Sequence, residues 1–132
     1  MSGTPATTTQ DPAAAPSAES LRSGKCEPCE GGVPTLSQEQ VAARLAVLED
    51  WEATDDGAAI RKQWNVGSFS KGLAFFGRVG EIAEAEGHHP DLHLTGYRHA
   101  AVVLKTHAVD GLTENDFILA AKIDALGDPR SA

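Results

Sequence analysis

The stretch Glu84-Ala85-Glu86-Gly87-His88-His89-Pro90-Asp91-Leu92-His93-Leu94-Thr95-Gly96-Tyr97-Arg98-His99-Ala100-Ala101-Val102-Val103-Leu104-Lys105-Thr106-His107 decides how the chain folds. Gly87 fits the left-handed residue that ends a helix, and Pro90 forbids the helix to resume. Proline also drives the residue before it, His89, towards an extended backbone. Upstream, Ser68 can cap a helix whose apolar stripe reads Phe69, Leu73, Phe76, Val79 and Ala83. Downstream, Leu92 to Arg98 and Ala100 to His107 read as two strands. The β-branched and apolar run Ala101-Val102-Val103-Leu104 suits a central strand.

The remaining segments repeat this order of elements. Ser37 and Gln40 form a capping box, followed by Val41, Leu45 and Leu48 on one helical face. Trp51 to Thr54 and Ile60 to Val66 read as strands, joined by the turn signal Asp55-Asp56-Gly57. Thr113 caps a last helix with Asp116 at its third position, and Leu112 can staple onto Phe117. The order helix, strand, strand, helix, strand, strand, helix implies an α+β domain, an antiparallel sheet covered on one face by three helices. Gly72, Gly77 and Gly80 lie inside the second helix, where each costs about 1 kcal/mol relative to Ala. Such glycines suit close packing by another element or subunit. Trp51 and Trp64 read as core residues.

The 132 residues suffice for one domain and not for two. With 11 Lys and Arg against 19 Asp and Glu, the net charge is -8, which repels phosphate and disfavours nucleic acid and anionic membranes as partners. No apolar run reaches the roughly 20 residues of a membrane span, and no secretory signal is apparent near Met1. The first 25 residues are mostly Ala, Pro, Ser, Thr and Gly, which predicts disorder. The boundaries are then a disordered arm over 1–33, a folded domain over 34–127 and a short tail over 128–132. Within the arm, Cys26-Glu27-Pro28-Cys29 is open to three readings: an exposed turn with free thiols, a disulfide, or half of a zinc site.

Five histidines fall between His88 and His107. The end of the helix is expected to expose both His88 and His89, with His107 at the strand end facing the same space. Glu84, one turn before His88, can reach that imidazole. Imidazoles beside carboxylates suit general acid–base chemistry, metal binding or a non-catalytic polar cluster. Against a metal, neighbouring histidines rarely point at one ion, and Pro90 interrupts any helical pairing of His89 with His93. His93 and His99 are expected to face solvent, and Asp116 is explained by helix capping alone.

Glu84-x3-His88-His89-Pro90, followed by Tyr97, His107 and Asp116, resembles the signature of the pterin-4a-carbinolamine dehydratases. Trp51, Ile60, Phe69, Phe76, Val79 and Ala83 also fall where that family has structural residues, so the resemblance runs from about Leu36 to Leu126. It implies a four-stranded antiparallel sheet with three helices packed on one face. It further implies dimers formed through edge strands, with tetramers through the second helix in some members. The implied reaction is dehydration of 4a-hydroxytetrahydropterin to quinonoid dihydropterin, with the pterin as substrate and no metal or other cofactor. By the same carry-over His88, His89 and His107 would be catalytic, and Glu84, Pro90, Tyr97 and Asp116 would bind substrate. The segment from Gly111 to Lys122 resembles a branch of plant, algal and chemoautotroph proteins. Some members of that branch carry a CxxC in an N-terminal extension, as Cys26 and Cys29 do, and some look like Rubisco assembly factors, including α-carboxysome ones, that keep the fold but are catalytically silent. That branch implies the Rubisco large subunit as an alternative partner. The resemblance implies a location in the bacterial cytosol, with or without the carboxysome, or in a plastid.

Overall fold

Hydrogen bonding from Val102 and its neighbours to both flanking strands organises the sheet. The computed structural model describes residues 16–27 and 34–131. Its strands are β1 (Glu52–Thr54), β2 (Ala59–Asn65), β3 (Asp91–Thr95) and β4 (His99–Leu104). They pair antiparallel in the order β1-β2-β4-β3. The apolar run in β4 is thus central, as its composition requires. Ile60 lies opposite Leu104 and Lys62 opposite Val102, so these residues share the core side of the sheet.

The four α-helices are α1 (Ala18–Arg22), α2 (Gln38–Ala46), α3 (Phe69–Glu86) and α4 (Glu114–Asp124). The three expected helices are α2, α3 and α4, and all three expected N-caps are made. Ser37 with Gln40, and Thr113 with Asp116, form reciprocal capping boxes, and Ser68 accepts from the Lys71 N–H. The core joins Ile60, Val102 and Leu104 of the sheet to Phe75 and Val79 of α3 and Phe117 and Leu119 of α4. Trp51 is buried beneath Trp64, edge to face at 6.0 Å, and its indole N–H donates to Asp124 at 3.1 Å.

Three expectations are corrected by the packing. The buried stripe of α3 is Gly72, Phe75, Val79 and Ala83, whereas Phe69 and Leu73 are exposed. Adjacent Phe75 and Phe76 allow two helical phases, and the glycine at 72 disguises the one that faces the sheet. A Cβ at Gly72 would stand 2.9 Å from Leu94 Cδ1, so this glycine admits β3; at Gly77 and Gly80 a Cβ would meet nothing within 4 Å. The arm was expected to be disordered, yet α1 is formed within it and Leu21 enters the core. The rest of that arm, including Cys29, lies outside the described residues; Cys26 carries a free thiol. The tail forms a 3-10 turn at Pro129–Ser131, and the Arg130 side chain donates to the Asn65 carbonyl at 2.9 Å.

Candidate active site

Gly87 ends α3 in the left-handed conformation, φ 68° and ψ 25°, and its N–H donates to the Ala83 carbonyl. This turn swings the chain back under the helix. In the extended backbone that Pro90 favours, successive side chains point to opposite sides. His88 accordingly points inward and His89 outward.

The His88 side chain is only 6% exposed, contrary to the expectation that both rings lie open, and its Nε2 is 2.7 Å from Asp116 Oδ1. Asp116 is fully buried. Its Oδ2 accepts the Thr113 N–H at 3.0 Å and the Thr106 hydroxyl at 2.8 Å. The Thr106 and Thr113 hydroxyls are also 2.8 Å apart. Asp116 therefore caps α4, as its position requires, but capping alone does not account for it: the same carboxyl fixes His88. Its place in the first helical turn sets the carboxylate against the positive end of the helix dipole. With Asp116 accepting on both oxygens, Nε2 of His88 carries its hydrogen, and Nδ1 is the nitrogen left to exchange a proton.

Glu84 reaches His89 rather than His88, with Oε2 2.7 Å from Nε2. This second pair is open, with side chains 61% and 79% exposed. Pro90 is half-buried beside it, at the entry to β3. His107 does not end a strand: β4 stops at Leu104, and His107 opens an exposed 3-10 turn, His107–Val109. Thr106 closes that turn by pairing with Gly111, so His107 follows directly on the threonine that holds Asp116. His89 and His107 thus adjoin in the chain the two ends of one Thr106–Asp116–His88 network.

Tyr97 stands apart. It is 59% exposed, at φ 55° in the β3–β4 turn, with the Arg98 guanidinium 5.5 Å from its ring centroid. That turn is beyond the far end of β3 from Pro90, about 17 Å or more away at roughly 3.3 Å per residue. Within one chain it does not join the histidines. His93 is exposed and His99 half-buried on the sheet. Among the described residues no three His, Cys, Asp or Glu side chains converge as a metal-binding set.

Thr106 escaped the sequence reading. Its signal is parity: Ala100, Val102, Leu104 and Thr106 alternate onto the core side, where a hydroxyl needs a partner.

Comparison with known proteins agrees with this fold. Residues 34–126 match the family model described as pterin 4 alpha carbinolamine dehydratase. A protein of Halorhodospira halophila, described as a putative pterin-4-alpha-carbinolamine dehydratase, is 45% identical over 82% of this chain and 98% of its own length. The mitochondrial pterin-4-alpha-carbinolamine dehydratase 2 of Arabidopsis thaliana is also 45% identical, over 80% of this chain, but the match spans only 58% of that protein. Among solved structures, a transcriptional coactivator/pterin dehydratase from Brucella melitensis superposes with a TM-score of 0.66 at 29% identity, covering 70% of this chain and 98% of that one. A pterin dehydratase-like protein identified as a RuBisCO assembly factor in the alpha-carboxysome shares the fold, with a TM-score of 0.50 at 23% identity over 59% of this chain and 89% of that one. The chain belongs to the pterin 4 alpha carbinolamine dehydratase family.

Proposed function

We propose that the protein dehydrates 4a-hydroxytetrahydropterin to quinonoid dihydropterin by histidine acid–base catalysis. The observation that carries this reading is the buried His88–Asp116 pair, flanked by His89 and His107. In the reaction one imidazolium protonates the 4a-hydroxyl, and the carbon–oxygen bond breaks to release water. A second imidazole takes the N5 proton, and the freed pair forms the double bond between N5 and C4a. Asp116 holds the His88 ring through Nε2, and Glu84 holds His89 more weakly because both of those side chains are wet.

Positioned acid–base groups contribute about 10² to 10⁴-fold. Freshly generated 4a-hydroxytetrahydropterin should therefore dehydrate faster with the protein present. His88→Ala and His107→Ala should each remove most of the gain. No acceleration at micromolar protein would sink the proposal. A role in Rubisco assembly has the resemblance of residues 111–122, the CxxC of the arm and a fold-level likeness behind it. It takes precedence if dehydration fails and co-expression raises the yield of assembled Rubisco.

A further inference from the structure

Residues 16–27 reach both elements that hold the buried pair. Leu21 is 2% exposed within the core. Gly24 lies so close to α4 that a Cβ there would be 3.2 Å from Ile118 Cδ1. Beyond it, the Cys26 N–H donates to Glu86 Oε1 at 2.8 Å. Glu86 stands two residues before His88 and pairs with Lys122 of α4 at 3.4 Å. Burial pushes the Glu86 carboxyl up, but the Cys26 N–H and Lys122 outweigh it and hold it below its ordinary value. The Glu27 N–H donates to Asn115 Oδ1 at 2.9 Å, and Asn115 Nδ2 donates back to the Glu27 carbonyl at 2.8 Å. Asn115 immediately precedes Asp116. The Cys26 thiol also donates to the Asn115 carbonyl, at 3.6 Å.

These bonds tie the end of α3 to the start of α4. The spacing of those two ends sets the His88–Asp116 contact. We infer that residues 16–27 form a strap that positions this pair: Leu21 anchors it, and Cys26 and Glu27 clamp Glu86 and Asn115. None of these strap residues touches the reacting centre; they act through His88 and Asp116. The inference rests on the proposed dehydration only for its activity readout.

Docking also silences Cys26. Burial foremost, then the charges of Glu86 and Asp116, push its thiol up to about 12. The thiolate is the nucleophile, and its scarcity outweighs its higher intrinsic reactivity, so alkylation of the docked strap should be about 10 to 10²-fold slower than for an ordinary thiol.

The test uses the full chain in a Cys29→Ser background, so that only Cys26 reports. Leu21→Asp removes the anchor, and Gly24→Val pushes the strap off Ile118; either decides the matter if the other fails to fold. Iodoacetamide alkylation of Cys26, the imidazole nitrogen chemical shifts of His88 by NMR at fixed pH, and separate kcat and KM values for dehydration are read together. Release should speed alkylation about 10 to 10²-fold. It should also move the His88 imidazole shifts and lower kcat with little change in KM, while Leu21→Met restores all three. The inference is overturned if Cys26 of the parent reacts as fast as a free thiol. It is equally overturned if the variants free Cys26 but leave the His88 imidazole shifts unchanged. An inactive parent would defeat the proposed reaction alone, since the thiol and imidazole readouts need no turnover.

Discussion

Two histidine–carboxylate pairs sit at the end of α3, and both are 2.7 Å long. His88–Asp116 is closed off from water, at 6% and 0% exposure; His89–Glu84 is open, at 61% and 79%. Equal distance does not mean equal energy. Water competes for both ends of the open pair and screens its charges, so it contributes little. The buried pair has no water to fall back on. Removing Asp116 leaves His88 and two further donors without their acceptor in a poorly polarisable surrounding.

The contrast is sharpest in stability. Asp116→Ala strips the acceptor from His88, the Thr106 hydroxyl and the Thr113 N–H at once. It should cost about 3–5 kcal/mol, read as a lower urea midpoint at unchanged slope. Gly72→Ala comes next, because the new methyl would crowd Leu94; a loss of about 1–3 kcal/mol is expected by thermal unfolding. Gly77→Ala should instead gain up to about 1 kcal/mol, since its Cβ meets open space and alanine is the better helix former. An unchanged melting temperature for both would break that account of α3.

The pairs should also differ in reach. Asp116 raises the Cys26 thiol after burial and Glu86 do so, whereas the charge of exposed Glu84 is screened by water. Glu86, Asp116 and Lys122 are the charged groups that act on this thiol from the packed elements. Asp116→Asn should therefore bring Cys26 ionisation down from about 12, and Glu84→Gln should leave it in place, followed by thiolate absorbance near the ultraviolet edge. A raised thiol stabilises the docked strap fully below its unfolded value of 9.0, and that contribution is lost as pH climbs towards about 12. Strap release on the alkaline side should follow, visible as amide exchange at Glu27 that quickens beyond the ordinary base-catalysed rise. The smallest effect belongs to Glu84→Ala, within about 0.5 kcal/mol in stability and fading further with salt. A loss as large as that of Asp116→Ala would contradict the whole comparison.

The parts legible in the sequence are those set by local chemistry. Ser37, Ser68, Gly87 and Thr113 end or begin helices by bonds within four residues, and the central position of β4 follows from its β-branched run. His88, His89, His107 and Asp116 were all readable as candidate site residues, but not which of them touch. The His88–Asp116 bond spans 28 positions, and nothing local announces it. Glu84 lies four residues from His88, yet the left-handed turn at Gly87 breaks the helical spacing and hands Glu84 to His89. The strap was illegible for a different reason. Composition averages over the arm, while its docking depends on one leucine and a few backbone bonds to Glu86 and Asn115.

The most direct test of the account is the initial rate of quinonoid dihydropterin formation from freshly generated 4a-hydroxytetrahydropterin, measured side by side for the parent and for a folded His88→Gln protein. The parent should exceed buffer clearly, and His88→Gln should fall by about 10²-fold or more. A parent no faster than buffer, or a His88→Gln protein as fast as the parent, would contradict it.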